Sequence, residues 1–189
     1  MIVDLDGTVW DSAPWCGALL ASLGGRTAED YERELVGGGN FVSMLRAVAR
    51  PQAFPELCAS REPPALYAGV LEGLEGLRSR GTTLGIATSL PAWVVEPMAK
   101  ATQIERFFSV RVDASCCRAR KPSPRPLLQA LDLILVRPDA ALYVGDRDVD
   151  CRAAKAAGME FAWASWGYEE EPPKGCDRVL GGFADLLLL

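Results

Sequence analysis

Apolar positions along the chain change rhythm at two places, near residue 13 and near residue 66. The opening stretch reads M-I-V-D-L-D-G-T-V-W-D. Its apolar start, residues 1–3, reads as a strand tip leading into a Gly-Thr turn. A central parallel strand usually has about five or six apolar residues. Either this strand is short or the chain's true start lies upstream; the pattern leaves both open. From 13 to 65 the pattern is helical with breaks. A helix over 13–23 is stopped by Gly24-Gly25. A second starts at Thr27, an N-cap residue followed by acids, and runs to about Val36 before Gly37-Gly38-Gly39. Asn40 caps a third helix over 41–49, and prolines bound a short fourth segment. No strand pattern occurs here, so 13–65 is read as a small all-helical insert, with residues 1–12 and 66–189 forming the main body.

Beyond residue 66 strands and helices alternate. Helices are predicted over 66–80, 92–102, 124–135 and 148–157, the last closed by Gly158. Strands are predicted over 82–88, 107–112, 141–144 and 160–164. Such alternation with short connections predicts an α/β fold with a doubly wound parallel sheet. Ligands of such sheets bind beyond the C-terminal ends of the strands. The C-terminal leucines, 186–189, are expected to pack on the core.

Composition narrows the chemistry. The 189 residues contain no histidine, which excludes a Ser-His-Asp triad, a Cys-His pair and His-ligated zinc. Six cysteines without a C-x-x-C spacing, and no signal peptide, predict free thiols in a reducing cytoplasm. A net charge of −5 without a basic face argues against nucleic acid, and no apolar run reaches the roughly 18 residues of a membrane span. Without a coiled-coil stripe, monomer and modest homodimer are both allowed.

Polar signals stand where strands end. Asp4, Asp6, Gly7 and Thr8 come after the first, Thr88 and Ser89 after the second, and Gly145-Asp146 after a later one, with Asp150 four residues on. A loop adds Lys121-Pro122-Ser123-Pro124. The strand-end rule lets these converge on one pocket. Four clustered aspartates need compensation, and a divalent cation supplies it. All-oxygen ligands favour Mg²⁺ over zinc. A cation with Lys121 would accept a phosphate dianion; one aspartate can attack phosphorus, and a second can transfer protons.

D-x-D-G-T with Asp11, the strand ending in Thr88-Ser89, Lys121-Pro122, and G-D-x-x-x-D followed by Ala-Ala-x-Ala-Ala-Gly together resemble the haloacid dehalogenase-like hydrolases, in motif order and over nearly the whole chain. Tyr67-Ala68-Gly69-Val70-Leu71-Glu72-Gly73-Leu74 and Ser165-Trp166-Gly167-Tyr168 are similar to the phosphoglycolate phosphatase-like branch, which places a helical cap where 13–65 lies. The resemblance implies a Rossmann-like core and a Mg²⁺-dependent phosphatase acting on a small phosphorylated metabolite. It implies Asp4 as nucleophile and metal ligand. Asp6 would be the general acid and base, its carbonyl on the metal. Thr88 and Ser89 would bind the phosphoryl group, and Lys121 would neutralise Asp4 and phosphate oxygens. Asp146 would be a metal ligand, and Asp150 would support the metal directly or through water.

Some features depart from that branch. Ser89 stands where Asn is common. Arg147 stands where a small residue is common, placed either to crowd the metal side or to reach the substrate. The cap is short, which suggests an open site tolerant of larger esters. Asp11 is read as the N-cap of the first cap helix. Trp10, Trp15, Arg26, Asn40 and Arg46 are candidates for substrate contact but are read as packing or surface. Gly37-Gly38-Gly39 is read as a hinge or turn, and 169–171 as a solvated loop. Three rivals remain. A dehalogenase is disfavoured by Asp6, because the family's dehalogenases lack that second acid. A phosphomutase or phosphotransferase needs a water-excluding cap. A partner-binding protein on this fold would not require the full set of Asp4, Asp6, Lys121 and Asp146.

Overall fold

The computed structural model describes the backbone of all 189 residues and every side chain except those of Pro51, Pro55 and Ala59. Six parallel strands form the central sheet: β1 (Ile2–Val3), β4 (Gly85–Ala87), β5 (Val110–Val112), β6 (Leu142–Gly145), β7 (Glu160–Ala164) and β8 (Arg178–Leu180), in spatial order β5-β4-β1-β6-β7-β8. Two-residue β1 is central, and both neighbours are parallel, Ile2 pairing with Gly85 on one side and Tyr143 on the other. Its brevity is tolerated because Ile2, Val3 and Leu5 are all fully buried. The chain crosses from β5 to β6 past β1, so the strand order reverses beside Asp4, and a crevice opens at such a point.

Helices α5 (Val70–Ser79), α6 (Ala92–Ala101), α7 (Arg125–Ile134) and α8 (Asp148–Ala157) cover the sheet. Val70, Gly73, Leu74 and Leu77 recur at helical spacing and are the buried face of α5. In α8 the small residues Ala153, Ala154 and Ala157 lie against the sheet, and Gly158, at φ +77°, ends the helix as predicted.

Several sequence-based boundaries need correction. The helix predicted from 66 starts at Val70, because Ala65–Leu66 forms strand β3, antiparallel to β2 (Trp10–Asp11). That ribbon closes the start and end of the helical segment, and its two-residue strands are too short to show alternation. Asp11 therefore lies in a strand rather than capping a helix; Ser12 occupies the cap position, and its hydroxyl bonds elsewhere. The strands predicted over 82–88 and 107–112 shorten to β4 and β5, with residues 105–107 in a 3-10 turn. Strand β8 carried too little pattern to be predicted: Arg178 and Val179 are exposed, and only Leu180 is buried. Of the terminal leucines, Leu186 is buried, whereas Leu188 and Leu189 are exposed.

Four helices lie between the ribbon strands: α1 (Ala13–Ser22), α2 (Ala28–Val36), α3 (Phe41–Ala47) and α4 (Phe54–Ser60). Thr27 caps α2 by accepting from Asp30 N, and Asn40 caps α3 by accepting from Ser43 N, as their positions predict. The segment packs on the main body through Phe54, whose ring meets Trp93 of α6 edge-on at 5.1 Å. Trp10, fully buried, donates to Thr102 Oγ1 at 3.3 Å.

Candidate active site

Asp4 leaves β1 buried between two strands, its backbone N donating to Val144 O at 2.9 Å. The next turn is tight because Leu5 O accepts from the backbone N–H groups of Thr8, Val9 and Trp10. Gly7 adopts φ +80°, a conformation that side chains rarely allow, and a Cβ there would strike the Asp146 carboxylate. The turn thus places Asp6 beside Asp4 while β6 delivers Asp146 from the neighbouring strand.

Lys121 closes the cluster. Its Nζ lies 2.8 Å from Asp4 Oδ2 and 2.6 Å from Asp150 Oδ1, and donates to Tyr143 Oη at 2.9 Å. Three ammonium protons meet three acceptors, and the side chain is 3% exposed, so the lysine is locked rather than solvated. Burial works against its charge, but Asp150 and Asp4 outweigh burial and hold the ammonium above the ordinary lysine range. Tyr143, within β6, lies within hydrogen-bond distance of Ala87 O (3.1 Å) and Asp150 Oδ1 (3.2 Å), tying the cluster to β4. Asp150 Oδ2 accepts from Arg147 N at 3.1 Å, so both of its oxygens already have protein donors.

Asp146 is fully buried. Its Oδ2 accepts from Tyr168 N at 2.9 Å. Gly167 lies so close that a Cβ there would collide with the Asp146 side chain and come within 2.5 Å of Gly7 O. Burial above all, then Asp150, pushes the Asp146 carboxyl well above its ordinary range. Asp6 is held from the side: Tyr168 Oη donates to its Oδ1 at 3.1 Å, and Ser12 Oγ donates to the same oxygen. Tyr168 Oη also accepts from Ser12 N and Ala13 N, which fixes the phenol. Burial, reinforced by Asp6, raises the Tyr168 phenol, so it stays a donor.

All seven residues singled out from the sequence come together. Asp4, Asp6, Thr88, Ser89, Lys121 and Asp150 line a single cavity of about 450 Å³, within the range of small-molecule sites. Asp146 lies directly beneath it, with one carboxylate oxygen within 4.8 Å of those of Asp4 and Asp150. Short as the helical segment is, it reaches this cavity: residues 37–42 form one wall, and Asn40 lies among them. The other surface candidates pack or face solvent. Arg26 pairs with Glu34, and Trp15 Nε1 donates to Glu62 O. Glu169, read as part of a solvated loop, instead accepts from Asp148 N at 2.8 Å and lines the cavity. The sequence also did not single out Tyr143, Ser12 or a catalytic-side role for Tyr168. Each is positioned by partners distant along the chain.

The site's donors suit a hard divalent cation. Asp4, Asp146 and Asp150 set three buried carboxylates against one ammonium, and Asp4 Oδ1 is buried without a hydrogen-bond donor. Such an orphaned acceptor normally has a partner. Asp4 Oδ1 and Asp146 would hold the ion, with Asp150 at its edge.

Comparison with known proteins agrees with this geometry. The profile of the haloacid dehalogenase-like hydrolases matches residues 52–164. A phosphoglycolate phosphatase of Pseudomonas putida is 32% identical over 194 aligned positions, covering 92% of this chain and 71% of the relative. One from Xanthomonas campestris is 31% identical over 207 positions, covering 100% and 90%. The crystal structure of CbbY from Rhodobacter sphaeroides in complex with phosphate superimposes with TM-score 0.76 at 23% identity, covering 98% of this chain and 94% of that one, a likeness of fold. The sheet order, the strand-end site and these similarities place the chain in the haloacid dehalogenase-like hydrolase family.

Proposed function

We propose that the protein is a divalent-cation-dependent phosphatase, with Mg²⁺ as the ion, that hydrolyses a small phosphomonoester through an aspartyl-phosphate, with the helical segment 13–65 as its cap. One observation carries the reading: Asp4 is buried with Oδ2 on Lys121 and Oδ1 without a donor, while Asp6 stands oriented beside it. Asp4 Oδ1 is thus left free of protein donors, open to a cation or to a phosphorus atom.

In this reading the Asp4 carboxylate attacks phosphorus and the ester P–O bond breaks. Asp6, protonated, gives its proton to the leaving oxygen. Asp6, now ionised, takes a proton from water, whose oxygen attacks phosphorus; the Asp4–phosphorus bond breaks and phosphate leaves. Lys121 keeps Asp4 ionised and faces the incoming phosphoryl oxygens. Thr88 and Ser89, at the end of β4, supply further donors. A bound cation would offset the excess carboxylate charge and polarise a phosphoryl oxygen. The phosphoglycolate phosphatase relatives point to a small acidic ester as substrate.

The test is phosphate release from phosphoglycolate, sugar phosphates, nucleoside monophosphates and p-nitrophenyl phosphate, with Mg²⁺ and with EDTA. Turnover that depends on Mg²⁺ supports the reading. A folded, Mg²⁺-binding protein inactive on the whole panel counts against it.

Two further outcomes are expected. Tyr168→Phe removes one donor to Asp6 and the acceptor of two backbone N–H groups. It should lower kcat about tenfold and cost about 1–3 kcal/mol of stability, read by steady-state kinetics and urea unfolding. Asp4 is pushed up to about 6, by burial first, so in the metal-free site this carboxyl holds a proton below that pH. A cation must displace that proton. The rise in Tm on adding Mg²⁺ should therefore be large at pH 7.5 and shrink as pH falls through about 6. A shift independent of pH would remove Asp4 from the ion's ligands.

A further inference from the structure

Arg147 comes directly after Asp146 and precedes α8, yet its side chain bonds across to the helical segment. Nη2 donates to Leu35 O at 2.8 Å and to Val36 O at 3.2 Å. These are the last carbonyls of α2, helix-end acceptors with partial negative charge. The guanidinium also lies over the Tyr168 ring, 5.1 Å from its centroid, and Nε stands 4.0 Å from Asp146 Oδ2. The side chain is 19% exposed. One residue thus touches the end of α2, the phenol that orients Asp6, and the carboxylate beneath the cavity.

The glycine turn after α2 gives this contact its consequence. Residues 37–39 turn directly from the helix end and form part of the cavity wall, with Gly37 N, Gly38 N and Gly39 N bonded back to Arg33 O, Leu35 O and Glu34 O. Gly38, at φ +94°, lies close enough that a Cβ would sit 3.4 Å from Arg147 Nη1. Three consecutive glycines have little stiffness of their own. Their position depends on what anchors the end of α2, and among the described residues Arg147 is the main-body side chain hydrogen-bonded there.

We propose that Arg147 is a positioning residue, a latch that fixes the glycine turn over the phosphate pocket and so sets how tightly small substrates are held. The fork of the guanidinium reaches two carbonyls while its face covers Tyr168. A lysine ammonium, a point charge, cannot do both. The latch itself stands on the contacts alone; its effect on substrate rests on the phosphatase reading above.

The experiment has two arms. Hydrogen–deuterium exchange of the substrate-free protein reads the latch. In Arg147→Ala the amides of residues 37–40 should exchange about tenfold faster, with α7 unchanged. Arg147→Lys, which keeps the charge beside Asp146, should show a smaller rise in the same amides and serves if the alanine variant does not fold. Kinetics on the best substrate of the panel reads the consequence: KM should rise about tenfold, with kcat changed much less. Unchanged exchange at 37–40 in a folded variant overturns the latch. If KM rises without faster exchange, Arg147 contacts substrate directly and the latch is wrong. A lost kcat with unchanged KM and exchange assigns the residue to Asp146 instead. If wild type hydrolyses nothing, the phosphatase reading fails while the exchange arm still decides the latch.

Discussion

Asp4→Asn is expected to lower turnover at least about 10⁴-fold, as loss of a covalent nucleophile does, while leaving the metal-free fold intact or strengthened at neutral pH. The two effects separate because the carboxylate is costly where it sits. Burial pushes the carboxyl up, Lys121 pulls it back and Asp150 pushes again, leaving it at about 6 instead of 3.8. A group raised on folding contributes stability that is complete below its unfolded value and is lost as pH rises through its folded value. The metal-free wild type should therefore lose stability between about pH 4 and 6 on account of Asp4. The asparagine variant lacks that loss. Urea unfolding in EDTA at pH 5 and pH 7.5 should show the variant gaining on wild type at the higher pH. A folded variant that keeps its turnover would contradict the assignment of Asp4, and an unfolded one would contradict the stability argument.

Lys121→Met should have the largest effect on stability. It removes the one ammonium inside the cluster and leaves Asp4 and Asp150 buried without their partner. Breaking a buried pair this way costs about 3–5 kcal/mol, because the remaining charge cannot be rehydrated. In a chain of this length that corresponds to a fall in Tm of about 10 °C. Methionine fills similar volume, so a cavity is not the cause. Mg²⁺ should restore part of the loss by supplying positive charge, and phosphatase turnover should remain undetectable. A midpoint within about 1 °C of wild type, measured by differential scanning calorimetry in EDTA, would mean the lysine is not the cluster's counter-charge.

The acidic cluster was legible in the sequence because each part is a local event. A strand ends, a turn begins, and a polar residue stands at the turn: Asp4 after Ile2–Val3, Thr88 after Gly85–Ala87, and Asp146 after Leu142–Gly145, whose last residue directly precedes it. Their convergence results from parallel strands pointing the same way. The helices were legible for the same local reason, through spacing and caps such as Thr27, Asn40 and Gly158. Three of the short strands went unread. β2, β3 and β8 are two or three residues long, and no alternation survives at that length.

The supporting shell had no such local signal. Tyr168 reaches Asp6 across 162 positions, and Arg147 reaches Leu35 across 112. Glu169 looked solvated within a run of three glutamates, until the fold set it against the start of α8. Asp11 looked like a cap until Ala65–Leu66 returned to pair beside it. Near neighbours along the chain dictate which chemistry the protein carries, because strand-end residues and helix caps depend on little else. How that chemistry is held depends on packing in three dimensions. Hydrogen bonds from Tyr143, Tyr168, Ser12 and Arg147 form between segments that meet solely through the order of the strands and the return of the helical segment.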